Sequence, residues 1–217
     1  LSTGTFLDLT TSAPAEQAPI LDNPPDDPYT VTKLAAFRES LTRAESGESI
    51  VICHPGAIYG PSPVSRRALH PTSFNAVLLA ALRGRIPMFL SFPVSWVAAT
   101  DVASGSIAAL DNGVAGERYW LVGRSEDTIS TAGGCNRACE IAGVEHRVTD
   151  LDYRSDPEAL TKAFGPALMA IAENAAKRVN TPRGAVTPTS ERLGYQPRSL
   201  DSGLGLLIPW LRELGKF

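Results

Sequence analysis

The strongest constraint on this chain is alternation. Short apolar runs suited to buried strands take turns with stretches of helical spacing. "SIVICHPG" at 49–56 is one such run, closed by a Pro-Gly turn, and "GERYWLVG" at 116–123 is another. Between and around them, Leu34, Phe37, Leu41 and Ala44 recur at the spacing of one helix face. Asp27-Pro28 opens that helix, because proline suits the first turn and an acid favours its positive end. Gly47 closes it. Residues 72–83, 129–142, 156–178 and 203–214 also read as helical, and 92–110 as a strand followed by a helix opening near Asp101. Residues 1–7 read as a strand running into a turn, and 11–28, rich in Pro, Asp and Ala, as a loop. Strands alternating with helices predict an α/β protein with a largely parallel sheet.

The 217 residues suffice for one large domain, or one domain with a small lobe, and 43% hydrophobic content supplies a proper core. A net charge of −3 without a basic block argues against nucleic acid as a partner. No run of about 18 apolar residues is present, so no membrane span is expected. Three cysteines, an odd number, argue against a disulfide framework and for a reducing cytoplasmic setting. Cys135 and Cys139 stand four apart, with only His146 near them in sequence, so they read as buried free thiols and no metal is expected. The chain begins at Leu1 in what resembles the end of a strand, and an N-terminal portion is expected to lie outside this sequence.

Chemistry concentrates in "DPYTVTKLAAF" at 27–37. Tyr29 and Lys33 stand four residues apart and therefore share a helix face. An ammonium beside a phenol favours the phenolate and equips the tyrosine for proton transfer. A surface pair does this weakly, and a pair in a cleft does it strongly. Three other stretches stand in a suggestive order: "STGT" at 2–5, "HPGAIYGP" at 54–61, and "WVAATDVASGSIAAL" followed by "GERYWLVG".

This order resembles the extended short-chain dehydrogenase/reductase family, also called the NAD-dependent epimerase/dehydratase family. The tail "ERLGYQPRSLDSGLGLLIPWL" is similar to that family's C-terminal end, so the resemblance runs through nearly the whole chain. It implies the C-terminal part of a Rossmann-like doubly wound parallel sheet with a smaller, mainly helical substrate lobe. Residues 1–60 would belong to the sheet domain with the catalytic helix. Residues 61–217 would form mostly the lobe, returning to the sheet near 94–123. NAD or NADP is the implied cofactor, and a homodimer through the 29–46 helix is suggested, with Phe37 and Leu41 facing either a partner or their own sheet. Tyr29 would exchange a proton with the substrate oxygen. Lys33 would tune Tyr29 and hold the nicotinamide ribose. Thr3, with Ser2 as the other candidate, would bond the substrate oxygen. His54, Pro55, Gly56, Ala57 and Ile58 would border the nicotinamide, with His54 read chiefly as packing.

The chain also departs from the family pattern. His54 stands where the family carries arginine, and no glycine-rich dinucleotide loop precedes the catalytic segment. "TAGGC" at 131–135 follows no suitable strand and reads as a helix of poor propensity. Sugar-nucleotide members tend to have asparagine where Ala57 stands, and Val-Tyr-Gly where Phe6-Leu7-Asp8 stands. The segment 62–96 carries Phe74, Leu78, Met88, Phe89, Phe92 and Trp96, and Phe74, Met88 and Trp96 are the expected substrate contacts. Such a surface suits a hydrophobic ketone or aldehyde. Arg66, Arg67, Arg83 and Arg85 pull the other way, since a diphosphate needs such groups. A carbonyl reductase similar to dihydroflavonol reductases is the favoured expectation. A nucleotide-sugar epimerase or dehydratase, and a non-catalytic NAD(P)-binding sensor or scaffold, are the alternatives.

Overall fold

The computed structural model describes residues 1–11, 13–177 and 188–217. Ser12, in the expected loop, and Arg178, at the end of the expected 156–178 helix, lie outside the described residues.

Helix α1 (Pro28–Glu45) starts where the sequence places it. The Asp27 carboxylate accepts hydrogen bonds from the backbone N–H groups of Tyr29 and Thr30, both at 3.0 Å. These satisfy two donors that the first turn leaves unpaired. Two parallel strand pairs, in separate ladders, follow it in the chain. Strand β1 (Ile52–Pro55) pairs with β5 (Arg118–Leu121), and β2 (Ala57–Tyr59) pairs with β4 (Val94–Ala98). The chain changes partner at Gly56, the one residue between β1 and β2. A β-carbon there would lie 2.3 Å from the Ser95 carbonyl oxygen, so only glycine lets the two backbones approach. Strand β6 (Thr128–Ile129) adds antiparallel to β4, while β3 (Met88–Leu90) and β7 (Thr149–Leu151) form a separate parallel pair. The α/β architecture expected from the alternation is what the chain adopts.

The remaining helices are α2 (Ser65–Ala68), α3 (Phe74–Leu82), α4 (Ala99–Asn112), α5 (Thr131–Ala142), α6 (Pro157–Phe164), α7 (Pro166–Lys177), α8 (Pro188–Leu193) and α9 (Leu200–Glu213). The main core lies where β2, α3, β4, α5 and α9 meet, around Trp96, Leu78 and the stripe Leu204, Leu207 and Leu211. Each fully buried leucine contributes about 1.5–3 kcal/mol as an upper estimate. Gly134 explains the poor helix propensity of "TAGGC". A β-carbon there would sit 2.4 Å from the Trp96 indole, so a small residue is what lets α5 close on β4. Cys135 and Cys139 are free and buried in this core, and burial pushes the Cys135 thiol up to about 12. A second cluster joins Phe6, Leu7 and Leu9 to Leu34 and Phe37 of α1, Ile52 of β1 and Trp120 of β5.

Several expectations need correction. Residues 1–7 form no strand in a ladder. The Ser2 N–H donates to the Cys53 carbonyl at 2.7 Å, but the chain then turns, with the Leu7 N–H returning to Gly4. The turn drives Phe6 into the second core cluster, where it is fully buried. The 156–178 stretch is two helices, because Gly165 takes a left-handed φ of 84° and Pro166 begins a new one. Residues Thr128–Ile129 belong to a strand, and α5 starts at Thr131 behind the Ser130 cap. Phe37 and Leu41 do not offer a face to a partner, since both pack into the second cluster.

The C-terminal segment is held by polar clamps. Asp101, at the start of α4, is buried and accepts from the Arg198 backbone N–H and from its Nε, both at 2.9 Å. Tyr59 and Tyr195 donate to the carbonyls of Leu200 and Val122 at 3.1 and 3.0 Å. Among the described residues no helix is long and apolar enough to cross a membrane.

Candidate active site

The carboxyl ends of β1 and β5 and the start of α1 open on one cavity of about 480 Å³. This is where α/β sheets place ligands, because the loops after the strands diverge there. Thr3, Gly4 and Thr5 reach it from the N-terminal turn, Tyr29 from the first turn of α1, and Pro55 to Ile58 from the β1–β2 junction. Phe74 arrives from α3, Phe92 and Pro93 from the approach to β4, Val94 and Ser95 from β4 itself, Trp120 from β5 and Val122 from just after it, and Thr128 from β6. Ile171 and Ala175 of α7 complete the wall. Among the described residues, none that lines the cavity carries a formal charge.

The Tyr29 ring is exposed, at 55%, on the cavity side of the helix start. Lys33 follows one turn later with its Nζ 6.0 Å from the centre of the Tyr29 ring. That ammonium donates to the Leu1 carbonyl at 3.4 Å, tying the N-terminal segment to α1. The Thr3 carbonyl is held from the other side by His54 Nδ1 at 2.9 Å. Thr5 approaches Thr30 of α1 through their hydroxyls, 3.5 Å apart. Together with the Ser2 bond to Cys53, the segment bearing Thr3 is therefore fixed at four points, two of them on α1 and two on β1.

Thr3, Tyr29, Pro55, Gly56, Ala57, Ile58 and Phe74 thus meet around one space. Ser2, Lys33, His54, Met88 and Trp96 do not line it. Ser2 sits just behind the wall, its hydroxyl buried. His54 is fully buried between Phe37 and Trp120, stacked on the latter at 5.5 Å, which makes it a packing residue. Burial lowers its pKa to about 4, and the Thr3 bond opposes this only in part. Trp96 is a core residue, and Met88 lies exposed on the outlying β3–β7 pair. Arg66, Arg67, Arg83 and Arg85 stand away from the lining, and Arg83 instead caps the C-terminal end through the Lys216 carbonyl. Sequence reading missed Thr5, Ser95, Trp120, Val122 and Thr128. The usable signal for Trp120 and Val122 was their place at the end of a buried strand.

Comparison with known proteins bears on the family and the fold. The model of the NAD dependent epimerase/dehydratase family matches residues 2–123, more than half of the chain. A putative dihydroflavonol 4-reductase from Synechocystis sp. is 29% identical over 120 residues, covering 54% of this chain and 33% of that protein. Sterol demethylase protein B from Methylococcus capsulatus is 28% identical over 99 residues, covering 46% and 29%. Among solved structures, a nucleoside-diphosphate-sugar epimerase from Pseudomonas aeruginosa superposes with a TM-score of 0.66 at 23% identity, covering 93% of this chain and 61% of that one. The UDP-glucuronic acid 4-epimerase from Bacillus cereus, solved with UDP-glucuronic acid and NAD, gives 0.67 at 18%, covering 98% and 60%. The matches span about a third of the two curated relatives. With Tyr29 and Thr3 on one cavity at the strand ends, and with the family model matched across both, this chain belongs to the NAD-dependent epimerase/dehydratase family of the extended short-chain dehydrogenase/reductase type.

Proposed function

We propose that the chain is the substrate-facing part of an NAD(P)-dependent reductase acting on a carbonyl of a small, hydrophobic compound. The observation that carries this reading is the uncharged cavity shared by Tyr29 and Thr3. Among the described lining residues a nucleotide diphosphate buried there would find no cation to offset its charge, whereas an apolar carbonyl compound finds Phe74, Phe92, Val94 and Trp120. The resemblance to a putative dihydroflavonol 4-reductase points the same way.

Pro55 to Ile58 offer an uncharged edge, narrowed to backbone at Gly56, that fits the nicotinamide end of a dinucleotide. Bound NAD(P)H would supply the hydride for the carbonyl carbon. Tyr29 would donate its phenolic proton to the carbonyl oxygen, giving the alcohol, and recover a proton through its exposed side. The Thr3 hydroxyl would hydrogen-bond the same oxygen and hold it in line. Lys33 would fix the helix start against the N-terminal segment. A homodimer through α1 would use its outer side, where Val31 is exposed, since Phe37 and Leu41 are occupied.

The test is NAD(P)H oxidation with a panel of aromatic and aliphatic ketones and aldehydes, beside epimerisation of UDP-glucuronic acid in the presence of NAD, followed by NMR of the sugar. Turnover of aromatic ketones is expected. Activity on UDP-glucuronic acid alone would replace this reading with a sugar-nucleotide one, and cofactor binding without turnover of any compound would favour a sensor.

A further inference from the structure

Two hydroxyls in the cavity wall have no counterpart in the chemistry so far assigned. Ser95 of β4 and Thr128 of β6 are directly opposite each other in the antiparallel register. Cross-strand partners of this kind present their side chains on the same face of the sheet. Both residues line the cavity. Both hydroxyl oxygens are buried, and neither has a hydrogen-bond partner within the described residues. A buried hydroxyl without a partner is unfavourable and uncommon, and it calls for an explanation. A serine or threonine hydroxyl relocates by rotation about a single bond, so each can turn toward a group placed in the space its side chain borders. The pair sits on the β4–β6 wall, whereas Thr3 and Tyr29 belong to the N-terminal turn and α1. The residues beside the pair in the chain, Pro93 and Val94, are apolar and also line the cavity.

We propose that Ser95 and Thr128 form a neutral hydrogen-bonding anchor that selects ligands with an apolar body and a hydroxyl remote from the reacting carbonyl. The carbonyl part of this statement rests on the reductase reading, and the anchor itself does not. Two hydroxyls can each donate or accept, so a phenol or alcohol can bond both at once. A carboxylate or phosphate would bring a charge that the described lining residues leave uncompensated.

The experiment measures dissociation constants by ligand-detected NMR for benzylacetone and its para-hydroxy derivative. The proteins are the wild-type chain, Ser95→Ala, Thr128→Val, Thr128→Ser and the Ser95→Ala/Thr128→Val double variant, each checked for folding by circular dichroism. The wild type is expected to bind the hydroxylated ketone about tenfold more tightly than its parent. Thr128→Ser keeps the hydroxyl and should keep the preference. The double variant, or the two single variants if it does not fold, should lose the preference while holding benzylacetone within about twofold of wild type. Equal wild-type affinities, absence of binding by both ketones, or a preference that survives loss of the hydroxyls would overturn the anchor. A preference that disappears with the hydroxyls, in a chain that oxidises no NAD(P)H with either ketone, would sustain the anchor and defeat the reductase reading.

Discussion

His54 donates its Nδ1 proton to the backbone carbonyl of Thr3 at 2.9 Å. A carbonyl can only accept, so the ring must carry its hydrogen on Nδ1 when neutral. The position that departs most visibly from the family pattern thus supports the candidate catalytic segment from behind, without touching the cavity.

His54→Phe should keep the stacking with Trp120 and lose the tether. A looser Thr3 should lower kcat by roughly tenfold and leave KM nearly unchanged, because a displacement near 1 Å at a catalytic group is enough for losses of that order or larger. Steady-state kinetics with a reducible ketone measures the split. A change confined to KM would place His54 in ground-state binding instead.

The same histidine makes stability depend on pH. Burial holds its folded-state pKa near 4, below histidine's ordinary value of about 6.5. Between those values the unfolded chain binds the proton and the folded chain does not, so stability falls as pH falls from about 6.5 toward 4. Going from pH 7 to pH 5 should remove roughly 2 kcal/mol through this group. Urea unfolding of the wild type and His54→Phe at both pH values measures the difference, and the variant should show a flatter dependence.

The buried ion pair between Asp101 and Arg198 anchors the C-terminal segment to α4. Asp101→Ala would strand a partly buried guanidinium and a backbone N–H. A loss of about 2–3 kcal/mol is expected, below the usual 3–5 because Arg198 retains some solvent access. Chemical unfolding at neutral pH and moderate salt reads it directly.

Gly56→Ala should be among the most damaging small substitutions. The added methyl would lie 2.3 Å from the Ser95 carbonyl, and backbone cannot swing aside as a side chain can. A destabilisation of about 3 kcal/mol or more is expected, with a narrowed cavity and weakened ligand binding. Thermal unfolding and ketone titration check both effects.

Much of the fold was legible because period and punctuation agree. The stripe Leu34–Phe37–Leu41, the Asp27-Pro28 start and the strand ending at Pro55-Gly56 all stand where the sequence placed them. The N-terminal turn was not legible, since the β-favouring threonines and the apolar ends of Leu1–Leu7 fit a strand until Phe6 is seen to turn into a core built by α1 and β5. The break at Gly165-Pro166 was readable in principle, and helical periodicity on both sides masked it. In the site, residues at motif positions were within reach, while Ser95 and Thr128 required the register of β4 on β6, which no local pattern encodes. Met88 and Trp96 illustrate the converse. Aromatic and sulfur-containing residues near a site in sequence are as often core or outlying strand as lining.

Proton donation from one phenol is the central claim, and Tyr29→Phe isolates it, because the ring remains and only the hydroxyl goes. The measurement is kcat for NAD(P)H-dependent reduction of an aromatic ketone that the wild type turns over, with ketone binding followed separately. A fall of about 10²–10⁴ in kcat with binding preserved is expected. Turnover within tenfold of wild type would contradict Tyr29 as the proton donor.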